Sequence, residues 1–148
     1  MKILLATDGS EFSREALEKS CRMLNLSADD QIRVVSVYEQ SVPMATEPFA
    51  LSAPYYQEVM EIGRRQCLAN VDESAKQLKA TLGGVEVKLE TEVRMGAPAR
   101  VIVDEAEEWG ADLIIVGSHG RGFWGRLTLG SVSDALVHHA PCSVLVAR

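Results

Sequence analysis

The sequence of 148 residues lacks the marks of membrane, secreted and disulfide-rich proteins. No apolar run approaches the roughly 20 residues that a helix needs to cross a bilayer, so we expect no membrane partner. The three cysteines, Cys21, Cys67 and Cys142, are scattered and form no CxxC pair, which favours small buried side chains over disulfides or a metal site. The apolar stretch behind Met1 is too short for a signal-peptide core, and we therefore expect a cytoplasmic protein.

Basic residues do not outnumber acidic ones in this sequence. The chain carries 15 lysines and arginines against 21 acidic residues, and the basic residues form no cluster. Because non-specific nucleic-acid binding depends on contacts between basic side chains and phosphates, we expect no nucleic-acid partner. The length fits one domain over residues 1–148, and neither an internal repeat nor a low-complexity segment divides it.

The two common phosphate-binding sequences are absent as well. No GxxxxGK[ST] supplies a P-loop lysine, and no GxGxxG follows the first apolar run, which removes the main support for dinucleotide binding. The chain has a different glycine pattern, in which Gly117 and Gly120 are followed, after nine residues, by Gly130 and Ser131. The apolar run LIIV precedes this pattern directly, and an amphipathic segment over residues 132–139 follows it.

A strand, a glycine-rich loop and a helix start, in that order, build an anion site from backbone N–H groups. Glycine lets the backbone approach a phosphate without an intervening Cβ. Ser131 lies where the N-cap of the helix is expected, and its hydroxyl can also face the anion. The pattern predicts a nucleotide-binding site, and the alternative is that the glycines only form tight turns.

Hydrophobic periodicity predicts strands that alternate with helices. Short apolar or alternating runs predict strands at residues 2–6, 32–38, 85–93, 113–116 and 143–146. Helical spacing predicts helices that begin near residue 11 or 12 and at residues 55, 98 and 132. Glu39 to Pro54 holds three prolines without a clear period and predicts a long loop. This alternation is typical of an α/β, doubly wound parallel sheet, Rossmann-like, with helices on both faces.

Two further residues are expected near the glycine loop, because ligands of such sheets bind beyond the carboxyl ends of the strands, where the strand order reverses. Asp8 follows the first predicted strand, and Val37 lies at the end of the second. The Asp8 carboxylate can accept hydrogen bonds from ribose hydroxyls or help hold a divalent cation. The alternative is that Asp8 caps the helix that begins near Glu11 or Phe12.

The glycine loop also contains His119, Arg121 and Arg126. Arg121 either reaches phosphate oxygens or is solvated. His119 has the chemistry of a general base, but no serine or cysteine nucleophile with an orienting acid accompanies it, which favours a local hydrogen bond. We expect no catalytic residue.

The last predicted strand, Ser143 to Val146, is expected at an edge of the sheet. An apolar edge strand invites pairing with another chain. A homodimer formed through this edge would bury it in a contact that is the same on both subunits.

These residues together resemble the universal stress protein family. The pattern G-x2-G-x9-G-[ST] of that family is similar to the one at Gly117, Gly120, Gly130 and Ser131. The segments ILLATDGS at 3–10, MGAPA at 95–99, GSVS at 130–133 and PCSVLV at 141–146 resemble its first strand and acidic turn, its later helix start and its ending. The resemblance covers the chain except Glu39 to Pro54, and Ala6 stands where some relatives have proline.

The resemblance implies a five-stranded parallel sheet in the order 3-2-1-4-5, membership of the ATP-binding branch, and frequent dimerisation through the last strand. It implies that the glycine motif and Ser133 hold phosphates and ribose, that Asp8 lies near the ribose and any metal, and that the Val37 backbone meets adenine. The residues expected to bind the nucleotide, Arg121 included, are Ala6, Asp8, Val37, Val116, Gly117, Gly120, Arg121, Gly130, Ser131, Val132 and Ser133.

The leading hypothesis is an ATP-binding regulatory module of the stress response, with ATP and Mg²⁺ as ligands and an unknown client protein. One alternative is a slow ATPase or phosphotransferase, which Asp8 and His119 beside the phosphates would favour. Another is a protein-binding dimer that ignores nucleotide, which the proline-containing loop and Trp124 would favour.

Overall fold

A computed structural model describes residues 1–39, 53–118 and 129–148. In these ranges five strands alternate with four helices, as the periodicity predicted. The strands are β1 (Lys2–Ala6), β2 (Gln31–Tyr38), β3 (Lys88–Met95), β4 (Leu113–Gly117) and β5 (Ser143–Ala147). The helices are α1 (Glu11–Met23), α2 (Ala53–Thr81), α3 (Pro98–Trp109) and α4 (Ser131–His139).

The five strands form one parallel sheet in the order β3-β2-β1-β4-β5, which confirms the expected order. The direction in which successive strands are added reverses between β1 and β4, so the switch point of the sheet lies there. β5 is an edge strand, as expected, and β3 is the other edge.

Two hydrophobic clusters cover the two faces of the sheet. Ile3 and Leu5 of β1 pack with side chains from α1 and α2, whereas Leu4 and Ala6 pack with side chains from α3 and α4. Successive side chains of a strand point to opposite faces, so β1 has to be apolar at every position. This explains its continuous apolar run and confirms the doubly wound architecture.

The starts of α2 and β3 differ from the predicted ones by more than a single residue. Helix α2 begins at Ala53, so Pro54 lies in its first turn rather than in the preceding loop. Proline is compatible with a first helical turn because the N–H that it lacks has no partner there. Strand β3 begins at Lys88 rather than Val85, because Lys88 is the first residue that pairs with β2. The predicted loop from Glu39 lies, over residues 40–52, outside the described part of the chain.

Helix α2 is 29 residues long and amphipathic. Neither it nor any other helix within the described ranges is both long enough and apolar enough to span a membrane.

Candidate functional site

A cavity of about 170 Å³ opens at the switch point, beyond the carboxyl ends of β1, β2 and β4. Every predicted binding residue that the structure describes lines this cavity. These residues are Ala6, Asp8, Val37, Val116, Gly117, Gly130, Ser131, Val132 and Ser133. Gly120 and Arg121 lie outside the described residues, as do His119, Trp124 and Arg126. The structure therefore brings together all the predicted binding residues that it describes. The ligand that they would bind stays a prediction.

One wall of the cavity is apolar. Ala6 and Val116 lie at the ends of the two central strands and are each 7% exposed, and Val35 and Ile102 are almost fully buried behind them. Pro98, at the first position of α3, closes this side. Such a wall can accept a flat apolar group, and backbone groups at its rim can orient that group.

The backbone of Val37 lies at the rim of this apolar wall. The N–H of Thr7 donates to the carbonyl of Val35 at 2.9 Å, so the backbone groups of Val35 face β1. Residues two apart on a strand direct their backbone groups to the same side, and those of Val37 therefore also face the β1 side. Within the described residues no backbone bond joins the two segments beyond Thr7. Val37 is therefore placed to meet a ligand through its backbone.

The opposite end of the cavity is formed by the start of α4. The N-cap of this helix is Gly130 and not Ser131, so the expected Ser131 cap was wrong. The N–H of Gly130 donates to the carbonyl of Ser118 at 2.8 Å, and this bond fixes the position at which the helix begins.

The first turn of α4 lines the cavity and has free N–H groups within the helix. The first helical bond runs from the N–H of Asp134 to the carbonyl of Gly130 at 2.9 Å, so three N–H groups precede it. No side chain among the described residues caps them. In α1, by contrast, the hydroxyl of Ser10 accepts from the N–H of Ser13 at 3.2 Å. The helix dipole adds positive potential at the start of α4.

Ser133 lies at the base of this helix start and is 2% exposed. Its hydroxyl is within hydrogen-bonding distance of two carbonyls, that of Gly130 at 2.9 Å and that of Ser118 at 3.2 Å. Because the single hydroxyl proton is shared between these carbonyls, Ser133 fixes the end of β4 to the start of α4. It offers a ligand its oxygen lone pairs only.

Gly117 has a packing role besides lining the cavity. A Cβ at this position would lie 3.2 Å from the carbonyl carbon and oxygen of Phe12 and 3.3 Å from the nitrogen of Ser13. Backbone atoms cannot move aside as a flexible side chain can, so glycine is needed where β4 meets the first turn of α1.

Asp8 lies in the turn between β1 and α1. Its carboxylate accepts from the N–H of Ser10 at 3.0 Å. Ser10 is the N-cap of α1, so the alternative that Asp8 caps this helix was wrong. The turn therefore presents an acidic side chain at the cavity mouth; Asp8 is the only charged residue among the described lining residues.

A second and larger cavity, of about 600 Å³, adjoins the first. Asp8, Val37 and Pro98 line both cavities, as do Ser131 and Val132, so the two form one continuous crevice. The far wall comes from helix α2, which contributes the side chains of Gln66 and Asn70.

Sequence reasoning missed Ser13, Val35 and Ile102 as lining residues. Ser13 and Ile102 face the crevice from inside helices, and Val35 lies inside a strand, so no loop or glycine signal marks them. Only the packing of their elements against the strand ends brings them there.

No group of three His, Cys, Asp or Glu side chains that could hold a metal ion occurs within residues 1–39, 53–118 and 129–148. His138 and His139 lie in the last turn of α4, where a positive charge is favoured by the helix dipole. His138 contacts the carbonyl of Asp134 at 2.8 Å.

The fold and the crevice define a doubly wound α/β protein with an open crevice at the switch point. The family identification from sequence is confirmed: the chain matches the universal stress protein family over residues 1–148 and belongs to it. It is 39% identical over 149 residues to universal stress protein A homolog 2 of Coxiella burnetii, with 99% of this chain and 94% of the relative covered.

Two solved structures with the same fold contain nucleotides. A universal stress protein family protein from Arabidopsis thaliana with AMP bound has a TM-score of 0.69 and 22% identity, over 99% of this chain and 90% of that chain. A universal stress protein in complex with cAMP has a TM-score of 0.68 and 24% identity, over 100% of this chain and 97% of that chain. At these identities the likeness shows the fold of the chain.

Proposed function

We propose that this chain binds an adenine nucleotide in the switch-point crevice and acts as a nucleotide-dependent regulatory module of the stress response. The observation that carries the proposal is the start of α4, where three N–H groups without a cap from the described residues line the same cavity as an apolar wall. Two proteins of the same fold with AMP and cAMP bound support the choice of nucleotide class.

The crevice chemistry suggests an orientation for the nucleotide. The adenine packs against the wall formed by Ala6 and Val116, with the Val37 backbone at its polar edge. The phosphates lie at the start of α4, where N–H groups and the helix dipole favour negative charge. The ribose then lies near Asp8, whose carboxylate can accept from its hydroxyls.

We assign ATP as the preferred ligand, together with Mg²⁺. Magnesium is commonly held by one or two carboxylates, water and the phosphates of the nucleotide rather than by a complete protein cage. Asp8, the one carboxylate among the described residues that line the first cavity, fits this donor set. The ion would neutralise phosphate charge beside the acidic side chain.

A homodimer through β5 completes the proposal. The strand is an edge of the sheet, and its central residues, Val144, Leu145 and Val146, are only partly buried. Pairing two such edges would join two nucleotide sites in one particle that a client protein can recognise.

Calorimetric titration of nucleotide-stripped protein with ATP and Mg²⁺ tests the proposal. We expect saturable binding near one ATP per chain, with AMP and cAMP competing for the same site. Absence of saturable heat with all three nucleotides would refute it and would leave protein contacts as the function of the fold.

A further inference from the structure

Helix α2 contacts the turn that presents Asp8 to the crevice, and it does so from inside the protein. The hydroxyl of Ser74 donates to the Thr7 hydroxyl oxygen at 3.3 Å, and the same oxygen accepts from the N–H of Gly9 at 3.2 Å. Thr7 in turn donates to the Ser13 hydroxyl at 3.1 Å. Ser74 and Thr7 are 2% and 5% exposed, so these bonds lie away from water.

Asn70 lies one helical turn before Ser74 in α2, and it contacts Gly9 in the segment between β1 and α1. Gly9 has a φ of +74°, and a Cβ placed on it would lie 2.2 Å from Oδ1 of Asn70. The amide of Asn70 is therefore packed directly against the Gly9 backbone. It is kept there by Gln66, whose Nε2 donates to Oδ1 at 3.0 Å, and it extends Nδ2 to the Ser36 hydroxyl at 3.5 Å.

We propose that Asn70 and Ser74 are positioning residues for the nucleotide site, because they hold residues 7–10 in the one conformation that points the Asp8 carboxylate into the crevice. This inference rests on the proposed nucleotide binding. It gives two residues of α2 a role in fixing the turn that carries Asp8, in addition to the wall that this helix forms on the far side of the crevice.

The chemistry of the contact favours positioning over simple packing. Hydroxyl and amide groups buried without partners are costly, so the bonds of Thr7, Ser74 and Asn70 restrict the turn to geometries that preserve them. Without these bonds, the turn could adopt many conformations, because glycine is not restricted by a Cβ. The Asp8 carboxylate depends on the same turn, since it accepts from the Ser10 N–H.

Amide hydrogen exchange on the nucleotide-free protein tests the first half of the inference. Asn70→Ala and Ser74→Ala are each expected to raise exchange at the Gly9 and Ser10 amides by about two- to tenfold. Gln77→Ala is the matched control, because Gln77 lies on α2 and donates to the Arg14 carbonyl at 3.3 Å without touching the turn. Unchanged exchange at Gly9 and Ser10 in both variants would overturn the inference.

A double-mutant cycle with Asp8→Asn tests the second half. Asn70→Ala is expected to weaken ATP binding about two- to tenfold in the parent protein and much less in the Asp8→Asn background, because the position of that carboxylate no longer matters there. Gln77→Ala should leave the affinity unchanged. Equal losses in both backgrounds, or full affinity in Asp8→Asn, would overturn the inference; Ser74→Ala replaces Asn70→Ala if the latter does not fold.

The two proposals fail separately. If the parent protein binds no nucleotide, the proposed function fails, while hydrogen exchange still decides whether α2 holds the turn. If the parent binds ATP and the cycle is additive, nucleotide binding stands and the role of Asn70 and Ser74 is wrong.

Discussion

Glycines beside the crevice are required for different physical reasons. Gly117 is needed because a side chain would meet the backbone of α1, and Gly9 because its φ is positive and Asn70 packs against it. Gly130 has a φ of −63° and a ψ of 153°, which any residue adopts. The backbone conformation therefore does not demand glycine here; under the proposed function, glycine leaves space for a phosphate at the helix start.

Replacement of Gly130 tests whether this position leaves space for a phosphate. Asp is a good N-cap residue, so Gly130→Asp is expected to keep the free energy of unfolding within about 0.5 kcal/mol of the parent. Its charge occupies the phosphate position, and ATP affinity should fall roughly tenfold or more. Urea unfolding and calorimetry measure the two quantities.

Gly130→Asn separates charge from volume in the same experiment. Asn caps a helix about as well as Asp but carries no charge. We therefore expect a smaller loss of ATP affinity with Asn than with Asp. Equal affinity of the parent and Gly130→Asp would contradict a phosphate site at the start of α4.

At the scale of elements, an ion cluster joins β2, β3 and α3 away from the crevice. Arg33 donates to Glu90 at 2.6 Å and to Glu105 at 2.7 Å, and Arg94 donates to Glu105 at 2.8 Å. The Arg33 guanidinium also lies 4.4 Å from the ring centroid of Trp109. The cluster therefore anchors α3, whose first turn closes the apolar wall of the crevice.

The stability of this cluster depends on pH. Hydrogen bonds from Arg33 and then from Lys88 lower the pKa of Glu90 below its usual value of 4.5. A lowered pKa in the folded state means that the contribution is complete above the unfolded pKa and is lost as pH falls through the folded pKa. Glu90→Gln should therefore be less stable than the parent at pH 6, and the difference should shrink towards pH 3.

Urea unfolding at a series of pH values measures this difference. Glu86→Gln is the control, because Glu86 is exposed and forms no ion pair among the described residues. A stability difference between the parent and Glu90→Gln that stays constant from pH 6 to pH 3 would show that the carboxylate charge contributes nothing.

Strand β5 supports a second prediction at this scale. The carbonyl of Ala147 accepts from the N–H of Ser118, so the backbone groups of Ala147 and Leu145 face β4. Those of Val144 and Val146 consequently face the free edge. Val144→Pro removes an N–H that only a partner strand would use. If the proposed dimer forms through this edge, the variant should be monomeric while the fold persists.

Leu145→Pro is the matched variant for the opposite side of β5. It removes a bond to β4 and should lower the free energy of unfolding by about 1 to 3 kcal/mol more than Val144→Pro. Light scattering gives the oligomeric state of each variant. A dimer that survives Val144→Pro unchanged would place the subunit contact elsewhere.

At the scale of the whole molecule, the architecture was predictable because local signals agree with one another. β1 is apolar on both faces, as a central strand must be. Pro98 begins α3 and Gly110, with a φ of 69°, follows its last residue. Proline favours the start of a helix and glycine its end, so both limits of α3 have a local signal in the sequence. The alternation of strands and helices then leaves few topologies open.

What the sequence could not predict depends on contacts between distant segments. Gly130 and Ser131 are both common N-cap residues, and only the bond from Gly130 to Ser118 decides between them. The contact of Asn70 with Gly9 joins residues 61 positions apart. No local sequence pattern within a helix predicts such a contact. The crevice as a whole is a product of packing: the sequence predicted most of the residues that line the first cavity, but none that line only the second.

The most direct test of nucleotide binding at this crevice is a nuclear magnetic resonance titration of the isotopically labelled, nucleotide-stripped protein with ATP and Mg²⁺. We predict saturable shifts of the backbone amides of Val37, Ser131, Val132 and Ser133, which lie at the proposed adenine and phosphate positions. Saturating ATP that leaves these amides unmoved, or that shifts only amides remote from β1, β4 and α4, would contradict the nucleotide site proposed for this protein.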